Sequence, residues 1–133
     1  MRLIVTGVAA IFIQKLLKKE QPVINGDGKQ TRDFVFVKDV VNANIKALLF
    51  DRSEMFNIGT GRETDINFLF NELVKTAGAD CKEIHGMAKH GEQKRSIIDC
   101  KKAKGLLGWA PQVSFKDGLA QTVEYFRLEG ACL

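Results

Sequence analysis

Histidine, tyrosine and tryptophan are scarce in this chain: two, one and one of them stand in 133 residues. The histidines, His85 and His90, have no partner at metal spacing. The three cysteines, Cys81, Cys100 and Cys132, lie far apart with no Cys-x-x-Cys pair. This argues against a zinc or dithiol centre, and scattered cysteines of odd number read as reduced thiols. No apolar run approaches the roughly 20 residues of a membrane span. The N-terminus shows no long apolar region followed by a small-residue cleavage site. The expectation is a cytoplasmic protein without a membrane segment. No nucleophile–base pair, paired carboxylates, internal repeat or low-complexity tract is visible. The net charge of +4 is modest, and Lys and Arg interleave with Asp and Glu. That pattern argues against nucleic acid and leaves a small anionic ligand as a fitting partner.

What is present is an ordinary globular composition, 45% hydrophobic and 27% charged, with length for one domain. Periodicity predicts a mixed α/β fold of about four helices and several short strands. Ala9, Phe12, Ile13, Leu16 and Leu17 form one helical face. Gln21–Asn25 reads as a short strand opened by Pro22. The run Gly26-Asp27-Gly28-Lys29-Gln30-Thr31-Arg32-Asp33-Phe34-Val35-Phe36-Val37-Lys38-Asp39 reads as turn, strand and helix cap. Its glycines allow positive φ, so the flanking strands are expected to pair as a hairpin. Asp39 is expected to cap a helix with apolar residues at Val41, Ile45, Leu48 and Leu49. Arg32 sits where turn becomes strand, a fixed place from which a guanidinium can grip a phosphate through two parallel bonds. By residue type alone a surface ion pair, to Asp33 or a neighbour, is the better reading.

Further on, Met55–Ile58 reads as a strand running into Gly59-Thr60-Gly61. Asp65 should cap a helix with Ile66, Leu69, Phe70 and Leu73 inside, stopped by Gly78. Cys81–His85 and Arg95–Asp99 read as short strands. Asp99 should cap a helix over Cys100–Leu107. Ser114 and Asp117 form a capping-box-like start to a last helix that buries Phe115, Leu119, Val123 and Phe126. Gly130–Leu133 is expected to fray.

The segment from Gly26 to Asp39 closely resembles the Gly-Asp-Gly-x-Gln-x-Arg-Asp-Phe-x-x-Val-x-Asp signature of the extended short-chain dehydrogenase/reductase family. Within it the likeness is to NAD-dependent nucleotide-sugar epimerases of the UDP-glucose 4-epimerase type. Phe56-Asn57-Ile58-Gly59-Thr60-Gly61 and Leu107-Gly108-Trp109-Ala110-Pro111 resemble two further segments of the family. The likeness runs from about Val8 to Arg127 and covers the family's C-terminal, substrate-binding part. Met1–Gly7 resembles the first strand of its Rossmann domain. There a Gly-x-x-Gly-x-x-Gly turn should follow, but Ala10 and Ile13 hold the second and third glycine positions. The expected organisation is therefore 1–7 as a strand remnant and 8–133 as a nucleotide-sugar-binding domain, with the Rossmann core largely missing.

The resemblance also implies roles. Val23 and Asn25 would offer main-chain groups to the nucleotide base. Arg32 would hold the diphosphate, Lys89 would stand where the family has a second arginine, and Glu92 would be the acid near the ribose. Asn25, often aromatic in the family, and Lys89 are departures, and Lys89 fits a solvated loop as well. No catalytic residue is expected: the family's Tyr-x-x-x-Lys pair is missing, and Tyr125 lies in the C-terminal helix. NAD belongs to the full-length family, and none is expected to bind here. Three readings stay open: a UDP-sugar-binding module that self-associates or completes a separate NAD-binding chain, a decayed interaction protein without ligand, and a short active epimerase.

Overall fold

The structure, a computed structural model, describes residues 7–130. The expected strand at Met1–Gly7 and the end beyond Gly130 lie largely outside the described residues. In chain order the elements are α1 (Val8–Leu17), β1 (Ile24–Asn25), β2 (Thr31–Arg32), α2 (Val37–Leu48), β3 (Thr64–Asp65), α3 (Ile66–Ala77), β4 (His85–Gly86), α4 (Lys101–Leu107) and α5 (Phe115–Gly130). The fold is mixed α/β as expected, with five helices among the described residues.

The main core forms where three amphipathic helices meet. α1 contributes Phe12, Ile13 and Leu16, α3 contributes Ile66, Leu69, Phe70 and Leu73, and α5 contributes Leu119 and Val123. Phe12 and Phe70 meet edge to face, with ring centroids 5.7 Å apart, the arrangement that ring quadrupoles favour. A second core gathers Ala43 of α2, Ala103 and Leu107 of α4, and Trp109, which is buried. The Trp109 indole donates to the main-chain oxygen of Asp39 at 2.9 Å, so the ring is buried without an orphaned N–H.

Helix ends follow the sequence closely in α3 and α5. Asp65 accepts from the Phe68 amide at 2.8 Å, and Gly78 takes φ 65° past the end of α3. Ser114 accepts from the Asp117 amide at 3.1 Å and donates to the Asp117 carboxylate at 2.6 Å. Two caps differ from expectation. Asp39 lies inside α2, whose N-cap is Phe36. Its buried carboxylate instead accepts from the amides of Gln112 and Val113, at 3.0 and 3.1 Å. At α4 the N-cap is Cys100, and Asp99 reaches forward to the Lys101 amide at 2.9 Å.

The expected hairpin does not form. β1 pairs in parallel with β4, placing Ile24 opposite His85, while β2 pairs antiparallel with β3, placing Arg32 opposite Thr64. The cause lies in the turn between them. Gly26 and Gly28 both take positive φ, 67° and 69°, and the turn's carbonyls are claimed from elsewhere. Gly28 O accepts from the Ile66 and Asn67 amides, two of the donors that a helix N-terminus leaves unpaired. The strand expected over Thr31–Val37 pairs only at Thr31–Arg32 and gives way to α2 at Val37. The expected strands at Met55–Ile58 and Arg95–Asp99 form no ladder, although Ser96 N donates to Thr31 O, and of Cys81–His85 only the last residue pairs. Alternation survives without pairing: Phe34 packs on the main core and Val35 on the second.

α1 ends in a Schellman turn: the Lys19 amide donates to Leu16 O and the Glu20 amide to Lys15 O. Lys19 holds the left-handed position at φ 58°, where glycine carries no Cβ penalty. Lys19→Gly is expected to stabilise the fold by about 0.5–1 kcal/mol, after the greater freedom of unfolded glycine is counted. A urea melt with an unchanged or lower midpoint would contradict this account of the turn.

Candidate functional site

A cleft of about 710 Å³ opens between the exposed side of α1, strands β1 and β2, the start of α3 and the loop at residues 89–92. Val23, Asn25, Arg32, Lys89 and Glu92 all line it. They come from three separate segments, so their meeting is a product of the fold and not of sequence proximity.

The β1 wall owes its character to strand geometry. Ile24 N donates to Ile84 O and Gly26 N to Gly86 O, at 2.9 and 3.1 Å. In a strand, alternate residues turn their main-chain groups to opposite sides. The even positions of β1 therefore face β4, and those of Val23 and Asn25 face the other way. Gln30 already occupies one of these groups, donating its amide to Asn25 O at 3.0 Å.

Arg32 is held like a bracket. Its Nη1 donates to the main-chain oxygens of Thr31 and Gln93, both at 2.7 Å, and its Nη2 meets Glu92 at 3.4 Å. The carbonyl bonds are short and fix the plane of the fork. The Glu92 contact is longer than the 2.7–2.9 Å usual for a charge-assisted bond. Glu92 thus belongs to the Arg32 pair, and Lys89 is exposed at the rim.

Asp33, the next residue, faces a different task. Its carboxylate accepts from Thr60 N and Oγ1, Gly61 N and Ile98 N, at 2.5–3.2 Å. This pins the Gly59–Gly61 turn and the Ile98 segment to the base of β2. Gly59 is needed there, since a Cβ would stand 2.7 Å from Ile98 Cβ. The Gly59-Thr60-Gly61 turn is thus a partner of Asp33.

The turn before β2 is fastened at each carbonyl. Asn67 donates to Asp27 O at 2.9 Å, α3 amides reach Gly28 O, and His85 Nδ1 meets Gly26 O at 2.7 Å. Asn67 Oδ1 is buried over Gly28 without a hydrogen-bond donor. A Cβ on Gly28 would fall 1.6 Å from that oxygen, so the bare Cα–H there offers only a weak C–H···O contact. The His85 Nε2 lies 2.8 Å from Glu83, which also accepts from Asn71. Both ring nitrogens thus face acceptors, and only the imidazolium can donate to both. The Glu83 bond, then the Gly26 carbonyl, raises the His85 pKa above its usual value. The His85 bond, then Asn71, lowers that of Glu83.

Several cleft residues were not singled out from the sequence. Val8, Ile11 and Lys15 line it from α1, and Gln30 and Ile66 from β2's approach and α3. The 8, 11, 15 spacing marks a helical face beside the Ala9, Phe12, Ile13, Leu16 and Leu17 face that the sequence reading assigned to the core, and it carried no expectation of its own. The His85 bridge left no sequence signal, because its partners lie at Gly26 and Glu83. Among the described residues no group of three or more His, Cys, Asp or Glu is placed to hold a metal ion. None of the described helices is long and apolar enough to cross a membrane.

With this geometry in hand, a family model described as GDP-mannose 4,6 dehydratase matches residues 1–122. The chain belongs to this family. Its nucleotide-sugar epimerase branch supplies close likenesses. UDP-glucose 4-epimerase of Mycolicibacterium smegmatis is 43% identical over 123 residues, covering 91% of this chain and 39% of that protein. The solved structure of UDP-glucose 4-epimerase from Thermotoga maritima, with UDP-glucose, is 46% identical, with a TM-score of 0.90 over 93% of this chain and 40% of that one. UDP-glucuronic acid 4-epimerase from Bacillus cereus, solved with UDP-glucuronic acid and NAD, is 29% identical, with a TM-score of 0.85 over 92% and 40%. The chain therefore spans about two-fifths of the length of these nucleotide-sugar epimerases. Its fold is the mixed α/β fold of that part of the family, and the extended short-chain dehydrogenase/reductase signature at Gly26–Asp39 is its local mark.

The His85 bridge makes a pH prediction. A raised histidine pKa adds stability that is full below the unfolded value near 6.5 and is lost as pH rises through the folded value. The lowered Glu83 acts in the opposite direction at acid pH, so the pair contributes most between the two titrations. The melting temperature is expected to fall between pH 6 and pH 8, and the fall should shrink in His85→Gln. Equal falls in both proteins would remove the bridge from this role.

Proposed function

We propose that this chain is the nucleotide-sugar-binding part of an epimerase-like protein, holding the diphosphate of a UDP-sugar without an NAD site or a catalytic Tyr/Lys pair of its own. The observation that carries this is the convergence of Val23, Asn25, Arg32, Lys89 and Glu92 on one cleft. The main-chain edge of β1 that faces away from β4, where Gln30 meets Asn25 O, suits the alternating donors and acceptors of a pyrimidine imide. The Arg32 fork is oriented by two carbonyls, and its loose contact with Glu92 is one that a phosphate can share or displace. Relatives solved with UDP-glucose and with UDP-glucuronic acid support the ligand class.

A calorimetric titration with UDP and UDP-glucose tests this. Wild type is expected to bind, and Arg32→Ala to weaken binding by roughly 10- to 100-fold, the effect of one charged hydrogen-bonding group. No epimerisation by the isolated chain is expected, nor any fluorescence of bound NADH. Absence of heat at millimolar UDP would reject ligand binding. It would favour the decayed-site reading, to which the exposed Lys89 and the non-aromatic Asn25 belong.

The α2 surface supports a partner. Val37, Val41 and Ile45, at one-turn spacing, are 64%, 50% and 54% exposed, and Leu48 and Leu49 are 84% and 82% exposed. The opposite face packs inward through buried Asp39 and Ala43, so the apolar side of α2 is the one left exposed, the pattern of a helix whose outer face awaits a cover. A second copy of this chain or a separate cofactor-binding chain is the proposed cover. Sedimentation should show self-association that Ile45→Glu reduces; a wild type monomeric at all concentrations would leave only the separate chain.

A further inference from the structure

The charges that line the cleft are unevenly committed. Its acids are occupied: Asp33 by four donors from Thr60, Gly61 and Ile98, and Glu92 by Arg32. Its lysines are not. Among the described residues neither Lys15 nor Lys89 makes an ion pair or a side-chain hydrogen bond. Lys89 is exposed on its loop, whereas Lys15 is half-buried on the helix wall. Lys15 shares its cleft-facing side of α1 with Val8 and Ile11, and one turn of α1 separates it from Phe12, which is fully packed. A half-buried lysine that has no counter-charge among the described residues and lines a cleft with excess positive charge is poised for an anion.

We propose that Lys15 is an anion-binding residue of this cleft, donating its ammonium to the diphosphate of the bound nucleotide from the α1 wall while Arg32 holds it from β2. The assignment rests on the cleft being the ligand site, and it reaches beyond the residues that the family signature marks. It gives the diphosphate a second cation from a rigid helix, at a site where Lys89 is a single mobile-stemmed charge at the rim. A lysine serves here as a point charge, so the contact tolerates differences in phosphate orientation that a guanidinium fork does not.

The test uses the full chain and three probes: UDP, inorganic pyrophosphate and uridine. Lys15→Met keeps the aliphatic stem, Lys15→Gln keeps a polar end, and Lys15→Arg keeps the charge; thermal melting of each checks the fold. Lys15→Met and Lys15→Gln are expected to weaken UDP and pyrophosphate about 10-fold with an unchanged melting temperature, and to flatten the dependence of affinity on salt. Lys15→Arg should restore most of the loss, and uridine binding should not change. Wild-type UDP affinity in Lys15→Met overturns the proposal, and so does an equal loss for uridine, which would place Lys15 at the base. Lys15-dependent pyrophosphate binding with no tighter binding of UDP keeps Lys15 and rejects the nucleotide reading. Failure of wild type to bind either anion overturns both.

Discussion

The carboxylate of Asp33 is the contact on which the site depends. It gathers three pieces of chain, β2, the Gly59–Gly61 turn and the Ile98 segment, through four hydrogen bonds. Main-chain bonds also tie β2 to the 94–96 segment, Thr31 N to Lys94 O and Ser96 N to Thr31 O, but among the described residues none ties β2 to the Gly59–Gly61 turn, so that turn depends on the carboxylate. A carboxylate saturated by main-chain amides sets position with little freedom. Arg32 inherits that position because it ends β2 and directly precedes Asp33 in the chain. Asp39 repeats the device six residues later, tying α2 to the Gln112–Val113 segment and, through its main-chain oxygen, to Trp109.

Side chains that act through chemistry were legible in the sequence, and those that act through pairing were not. Arg32 lies inside the Gly26–Asp39 signature, and the other four candidate residues, Val23, Asn25, Lys89 and Glu92, were marked by family resemblance outside it; the fold brings all five to one cleft. The Asp65 cap, the Gly78 stop and the Ser114–Asp117 box were local, involving residues three or four apart, and they formed as read. The hairpin was misread because the choice between pairing β1 with β2 or with β4 is made by residues near 66 and 85, outside any local window. Asp39 was misread for the same reason: a residue that looks like a cap was drawn inward by amides far along the chain.

The helix α2 shows a different limit. Its apolar positions obey helical spacing, and the sequence rule that apolar faces go inside would bury all of them. The structure buries one side and leaves the other bare. A pattern read from sequence says that a face is suited to cover; it does not say what covers it.

The pairing scheme has a kinetic consequence. Each strand pair joins distant residues, Ile24 with His85 and Thr31 with Asp65, and each is only two residues long. Closing such loops costs chain entropy before any ladder bond compensates, so neither pair can start folding. The α1–α3–α5 core has the apolar surface to form first, and the strands can join only once it has brought their ends together. The cleft is then the last part of the molecule to assemble and the first to open. A ligand that bridges its walls would act chiefly on the rate at which the native chain comes apart.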